Sequence, residues 1–177
     1  MTDHVSPRQL RRAYDKDAAD YDARFSAFQA PKYEAVLERF TPLPAARLLD
    51  LGAGTGMFLS RLGSRPGLSV ALDVSLGMLR RCTAPCSRVH ATLLQLPFAD
   101  ERFDAVVAFT SLLVPPDLAL LAFLEIRRVL APGGTLALTL LPDTAHAGLP
   151  DDLRAAGLAP GPKFLCGQDV GWICGRP

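Results

Sequence analysis

The chain has 177 residues, which at ~100–200 residues per domain allows one domain, or one with a small appendage. Apolar residues make up 49% and charged residues 21%, the composition of a globular chain able to bury a core rather than of a disordered one. Lys and Arg total 19 against 18 Asp and Glu, a net charge of +1, and no basic run is present, so the concentrated positive patch of a nucleic-acid or membrane-surface binder is missing.

The longest uncharged stretches, 105–116 and 130–142, fall short of the ~18 residues a spanning helix needs, and both contain Pro or Gly. The first residues lack the apolar core of a signal peptide, so the expected compartment is the cytoplasm. Cys82, Cys86, Cys166 and Cys174 are then expected as reduced thiols, with no metal-ligand spacing among them.

In chain order, Ser6-Pro7-Arg8-Gln9 reads as a helix start, with a serine cap and proline at the first helical position. Tyr14, Tyr21, Phe25 and Phe28 follow on one helical face, and Pro31 is expected to open a second helix carrying Tyr33, Val36, Leu37 and Phe40. Pro42 and Pro44 make a rigid linker, which divides a helical cap or lid, 1–44, from a body, 45–177. The body alternates between strands and helices. Strands are expected at Arg47–Leu51, Ser69–Leu72, Arg88–Ala91, Phe103–Phe109 and Thr135–Leu141. Helices are expected at Gly56–Gly63, Leu76–Cys82, Asp117–Leu130 and Asp151–Ala156. Such alternation predicts right-handed crossovers and a parallel sheet covered on both faces. The tail, Lys163–Pro177, reads as a hairpin that adds an antiparallel strand.

One segment carries chemistry: Leu48-Leu49-Asp50-Leu51-Gly52-Ala53-Gly54-Thr55-Gly56. An apolar strand runs into a glycine-rich turn and then a helix, at the end of the sheet where open α/β folds bind ligands. A dinucleotide site needs G-x-G-x-x-G, whereas the third dinucleotide glycine is here Met57. Asp50, just before the turn, would repel a pyrophosphate and welcome an ammonium. Asp73 ends the next strand at the distance, about 20 residues on, of an acid that binds ribose hydroxyls. S-adenosylmethionine, with an ammonium, a sulfonium, a ribose and no phosphate, suits that combination.

At this point the sequence resembles the class I S-adenosylmethionine-dependent methyltransferases. It is most similar to the subgroup that includes the ubiquinone/menaquinone-biosynthesis and malonyl-carrier-protein enzymes. Tyr14-Asp15 through Tyr21-Asp22 is similar to that group's Y-D-x-x-A-x-x-Y-D element. Leu49–Gly56, Asp73-Val74-Ser75, Leu96-Pro97-Phe98-Ala99-Asp100 with Phe103-Asp104, and Glu125 through Gly134 match its further motifs in order. The resemblance implies a doubly wound Rossmann-like sheet of seven strands, the last antiparallel, with an N-terminal helical cap. It implies Asp50 for the methionine ammonium, directly or through water. Gly52, Ala53, Gly54 and Gly56 would pass beneath the methionine and ribose, and Asp73 would take the ribose hydroxyls. Val74 and Met78 would sandwich the adenine, Phe109 would line the methionine arm, and Tyr14 and Tyr21 would lie on the lid. Thr92 stands where many relatives have an Asp that accepts from the adenine amino group. That replaces a charge-assisted bond of ~1.5–3 kcal/mol by a neutral one of ~0.5–1.5 kcal/mol. Leu93 would offer its backbone N–H.

Other polar residues have structural readings: Asp104, Glu125, Arg127 and Arg128 as pairs or a solvated helix face, His90 as packed, His4 in the tail. His146 and Asp143, just past the fifth strand, are the unassigned candidates for acceptor chemistry, with Tyr21 a third. The residues after Asp143 leave no room for a substrate-binding insertion, so the acceptor pocket is expected between the N-terminal helices and the strand ends, walled by Phe109, Leu112, Leu113 and Val114. The expected function is methyl transfer to a small, largely apolar acceptor, natural-product, quinone-like or lipid-like. The alternatives are a protein or carrier-protein-bound acyl acceptor, or a cofactor-binding protein without turnover. No nucleic acid or membrane span is expected. Residues 1–30 are expected to act as a mobile lid.

Overall fold

The computed structural model describes residues 7–63 and 67–177. His4 and the expected cap Ser6 lie outside the described residues, as do the side chains of Arg8 and Gln9. Two helices come first, α1 (Pro7–Asp17) and α2 (Tyr21–Leu37). The body follows as β1 (Arg47–Leu51), α3 (Met57–Leu62), β2 (Leu68–Asp73), α4 (Leu76–Arg81), β3 (Ser87–His90), β4 (Phe103–Phe109), α5 (Pro116–Val129), β5 (Leu130–Leu140) and α6 (Leu149–Ala155). Three strands close the chain: β6 (Ala159–Pro160), β7 (Phe164–Cys166) and β8 (Asp169–Gly175).

The sheet runs β3-β2-β1-β4-β5-β8-β6, with β7 also paired to β8. The first five in that order are parallel; β8 is antiparallel to β5 and to its own partners β6 and β7. Strands β1 and β4 are apolar almost throughout because both faces are covered. Alternation along β1 assigns each face: Leu49 and Leu51 pack with Val106, Phe123, Ile126 and Leu153 on the α5/α6 side, while Leu48 packs with Tyr33, Val36 and Phe58 on the α2/α3 side. Each fully buried leucine of this kind contributes about 1.5–3 kcal/mol. Chain order reverses at β1, which has β2 on one side and β4 on the other, and their carboxyl ends open a crevice there.

Three expectations are corrected. The sheet has eight strands rather than seven, because the two-residue β6 pairs Ala159 with Gly175 and Pro160 with Cys174 at the edge, where proline's missing N–H costs no ladder bond. The N-terminal break comes at Ala18–Asp20, not at Pro31, and α2 runs through Pro31. An interior proline costs a helix about 3 kcal/mol, and burial of Tyr33 and Val36 beside it offsets part of that cost. His90 is exposed rather than packed, its Nε2 3.0 Å from the Val74 carbonyl oxygen.

Two motifs prove to be halves of one clamp. Glu125 accepts from the Leu96 backbone N–H at 2.7 Å, and Arg128 donates to the Leu96 and Phe98 carbonyls at 2.9 and 2.7 Å and to Asp100 at 2.9 Å. Asp104 likewise fixes the start of β1 through Arg47. All four cysteines are free thiols.

Candidate active site

The β1–α3 turn is built from left-handed glycines, with φ of 68° at Gly52 and 57° at Gly54. A Cβ on Gly52 would lie 2.3 Å from the Ser111 side chain, so only glycine lets the loop after β4 press against this turn. A Cβ on Gly54 would meet nothing within 4 Å and would project into open space, so this glycine leaves a face clear for a ligand. Gly52 and Ala53 donate to the Leu72 carbonyl, and Gly54 donates to Asp73 Oδ2 at 2.8 Å. Asp73 Oδ1 accepts from the Ser75 N–H at 2.7 Å. Asp73 therefore ties the glycine turn to the start of α4, a role its sequence position did not reveal. Burial pushes its carboxyl above the usual range even though three backbone N–H groups pull the other way.

A cavity of about 420 Å³ lies over this turn, at the carboxyl ends of β1, β2 and β4 and beneath α1 and α2. That volume falls within the ~300–1,000 Å³ of small-molecule sites. Of the expected cofactor residues, Tyr14, Tyr21, Gly52, Gly54, Asp73, Val74, Met78, Thr92, Leu93 and Phe109 line it. Asp50, Ala53 and Gly56 do not line it. Asp50 is 2% exposed, and burial, reinforced by the Asp73 charge, pushes its carboxyl up to about 8. Phe109 is held edge-on to Tyr33, with ring centres 4.8 Å apart, and packs on Phe58. The Thr92 hydroxyl accepts from the Leu94 N–H at 3.3 Å.

The helical cap is pinned at two carboxylates. Asp15 Oδ1 accepts from the Ser75 hydroxyl at 2.6 Å and from the Gly77 N–H at 2.9 Å, and Asp22 accepts from Thr55 at 2.5 Å. These bonds bring Tyr14 and Tyr21 over the cavity, 6.3 Å apart edge to face. The Ser75 hydroxyl and the Gly77 N–H hold the Asp15 carboxyl below its ordinary range.

Much of the remaining cavity wall is apolar, with Phe25, Phe28, Leu113, Val114, Leu118 and Leu141, and Gln29, Lys32, Thr110 and Ser111 make its polar part. Leu113 and Val114 were expected there, whereas Leu112 turns into the core instead. His146 and Asp143 are not brought to the cavity. His146 sits 3.2 Å from Asp152 beside α6, and Asp143 is exposed in the turn after β5.

Sequence reasoning missed the polar end of the cavity. Lys32 and Asp169, 0% exposed at their side chains, form a buried pair at 3.0 Å. Lys32 also donates to the Thr110 hydroxyl at 2.8 Å, and that hydroxyl donates to Asp169 at 2.5 Å. Thr110 has a φ of 53°, an uncommon left-handed conformation for a residue with a side chain. A lone lysine in the stripe Phe28–Lys32–Tyr33–Val36 was the available signal.

Among the described residues the cavity is lined by one buried acid, Asp73, with a second, Asp50, buried in β1, by an open glycine face, and by no cation apart from Lys32, which Asp169 already neutralises. That combination suits a ligand carrying an ammonium and a diol and disfavours one carrying phosphates. A doubly wound sheet with such a turn and acid pair defines an S-adenosylmethionine-type site. Residues 49–138 match the family described as "Methyltransferase domain", and the chain belongs to that family. It is 38% identical over 158 residues to a malonyl-[acyl-carrier protein] O-methyltransferase of Dechloromonas aromatica, an alignment covering 82% of this chain and 59% of that protein. It is 35% identical over 137 residues to a demethylmenaquinone methyltransferase of Corynebacterium kroppenstedtii, covering 73% and 58%. The chain thus spans about three fifths of the length of these curated relatives. The N-methyltransferase NodS of Bradyrhizobium japonicum, solved with S-adenosyl-L-homocysteine, shares the fold at a TM-score of 0.79 and 18% identity over 94% of this chain and 98% of that one. S-adenosylmethionine is the cofactor of this class.

Proposed function

We infer that the chain catalyses S-adenosylmethionine-dependent methyl transfer to a small, largely apolar organic acceptor. The carrying observation is a single cavity that joins the glycine turn and Asp73 at one end to an aromatic and aliphatic chamber at the other. When bound, S-adenosylmethionine supplies an activated methyl group. The chain's part is to hold, orient and dry the reactants, and proximity of this kind is worth about 7–11 kcal/mol of a barrier. Asp50 takes the ammonium, directly or through water, Asp73 the ribose hydroxyls, Val74 and Met78 the adenine faces, and Thr92 and Leu93 the adenine edge. Phe109 backs the methionine arm, and Tyr14 and Tyr21 cover it from the cap at residues 1–44.

Calorimetry with S-adenosylhomocysteine and with NAD tests the cofactor half of this reading, with heat expected from the first and none from the second. Incubation with methyl-labelled S-adenosylmethionine and a panel of apolar acceptors tests the other half. Label transferred to none of them would overturn it. A second reading, a carrier-protein-bound acyl acceptor, draws support from the relative named for malonyl-carrier protein. It predicts label in an acyl thioester acid and none in free small molecules.

A further inference from the structure

A pair of thiols lies against the cofactor turn. Cys82 caps the end of α4, Cys86 precedes β3, and their sulfurs are 3.6 Å apart, within thiol–thiol hydrogen-bond reach. Residues 82–86 belong to neither helix nor strand, so no regular structure locks either sulfur in place. Cys82 is buried and Cys86 half-buried. Among the described residues the other free thiols, Cys166 and Cys174, share no such contact.

Two sulfurs this close are either part of a metal site or a dithiol. A structural zinc takes four ligands, and among the described residues no group of three or more His, Cys, Asp or Glu gathers to hold a metal. A dithiol needs only the two atoms present. An S–S bond is ~2.05 Å long, so the sulfurs must come about 1.5 Å closer.

The two thiols are not equivalent. Burial first, and then the hydrogen bond to Cys82, pushes the Cys86 thiol up to about 12. Cys86 therefore keeps its proton and donates it toward Cys82, which leaves Cys82 as the attacking sulfur. With a small hydroperoxide as oxidant, the Cys82 sulfur attacks one peroxide oxygen and the O–O bond breaks. The departing hydroxide carries off the Cys82 proton as water, and Cys82 becomes a sulfenic acid. The Cys86 sulfur then attacks the Cys82 sulfur. The S–S bond forms, the S–O bond breaks, and hydroxide leaves with the Cys86 proton as a second water. Two thiols lose two electrons, and one peroxide is reduced to two waters.

Gly56 links this chemistry to the cofactor. A Cβ on Gly56 would lie 2.4 Å from the Cys82 sulfur and 3.4 Å from the Ala84 Cβ, so the last glycine of the turn rests directly on the thiol segment. The Cys86 sulfur is held instead by a backbone hydrogen bond from Ala71 in β2. Closing the S–S bond draws the Cys82 sulfur off Gly56 toward β2 and removes the contact that fixes the end of the turn.

We propose that Cys82 and Cys86 form a reversible oxidation site whose disulfide loosens the cofactor turn through Gly56.

The test compares the full chain reduced with dithiothreitol and oxidised with hydrogen peroxide. Each sample is alkylated under denaturing conditions and cut with trypsin. Cleavage after Arg81 and Arg88 leaves both cysteines in one peptide, 82–88. Peroxide should make that peptide unalkylated and two hydrogens lighter than its reduced form, and dithiothreitol should reverse the change. Amide exchange over residues 52–56 should quicken in the oxidised protein. S-adenosylhomocysteine should bind it about tenfold more weakly, a typical coupling between two sites. Cys86→Ser should show neither effect of peroxide. Two cysteines that remain separately alkylated, or that pass singly to sulfinic acid, would overturn the site. A cross-link that leaves exchange over 52–56 unchanged, or the same loss of affinity in Cys86→Ser, would overturn the coupling. No S-adenosylhomocysteine heat from the reduced protein would overturn the cofactor reading instead, while the peptide mass and the exchange rates still decide the proposal.

Discussion

Asp50 offers the sharpest test of the electrostatics beneath the glycine turn. Its carboxyl sits in the central strand, 2% exposed, and is pushed from an ordinary 3.8 up to about 8, first by burial and then by Asp73. Between those two values the native state holds a proton that the unfolded chain has released, so stability falls as pH rises. One such proton costs ~1.4 kcal/mol per pH unit, about 3 kcal/mol from pH 5 to pH 7. The penalty is absent below about pH 4 and complete above about pH 8. Asp50→Asn is neutral throughout and escapes it. Urea unfolding of the ligand-free proteins should therefore show the variant gaining about 3 kcal/mol on the wild type over that interval. Asp73, whose carboxyl burial also raises, contributes a slope to both proteins and largely cancels in the difference. The same proton must leave when a ligand ammonium pairs with Asp50. Titration of S-adenosylhomocysteine at pH 6.5 in buffers of different ionisation enthalpy should read the release of about one proton for the wild type, and none with weakened binding for the variant. Parallel stability curves, or no proton release, would refute this account of Asp50.

Three further outcomes are expected. Asp73→Ala should weaken S-adenosylhomocysteine by about 2–4 kcal/mol, because charge-assisted bonds of ~1.5–3 kcal/mol each are lost; an unchanged dissociation constant by calorimetry would mean that the ribose is held elsewhere. Lys32→Met should cost about 3–5 kcal/mol in urea unfolding by leaving Asp169 buried without its cation, and adding Asp169→Leu should restore most of it; a double variant as unstable as the single one would refute the pairing argument. Amide exchange over residues 1–30 should be fast without ligand and slow with S-adenosylhomocysteine, and equal protection in both states would make the segment a fixed layer.

What could be read from the sequence was what local stereochemistry dictates. The turn from Gly52 to Gly56 was legible because three left-handed residues in five positions leave few alternatives to glycine. The buried strands β1 and β4 were legible as apolar runs bounded by turn residues. Pro31 misled because a local rule met a tertiary override, the packing of α2 on the hairpin formed by β7 and β8. The Lys32–Asp169 pair was hidden for a different reason. Its partners come from the second helix and the last strand, and no periodicity links them. His146 and Asp143 were placed near the ligand by strand polarity alone, but the turn after β5, closed by Thr144 and Ala145 donating to the Leu141 carbonyl, carries His146 to α6.

The cap and the cofactor turn are physically one device. Asp15 is bound to Ser75 and Gly77, immediately after Asp73 and Val74, and Asp22 is bound to Thr55 within the glycine turn. Each attachment of the cap is thus made to a backbone segment that the cofactor itself would order. Thr55 is held where Gly54 meets Asp73, so ordering the ribose end and closing the cap favour the same loop conformation. Linkage makes that coupling reciprocal: whatever a bound cofactor contributes to closing the cap, a closed cap contributes to cofactor affinity. The Asp15 attachment also has a pH signature. Its carboxyl is lowered, so the stabilisation it supplies is present above the ordinary Asp range and is lost as pH falls through the lowered value. Acid should therefore release this end of the cap while protonated Asp50 leaves the sheet beneath it intact. The segment that covers the chemistry and the sheet that supports it respond to pH with opposite signs.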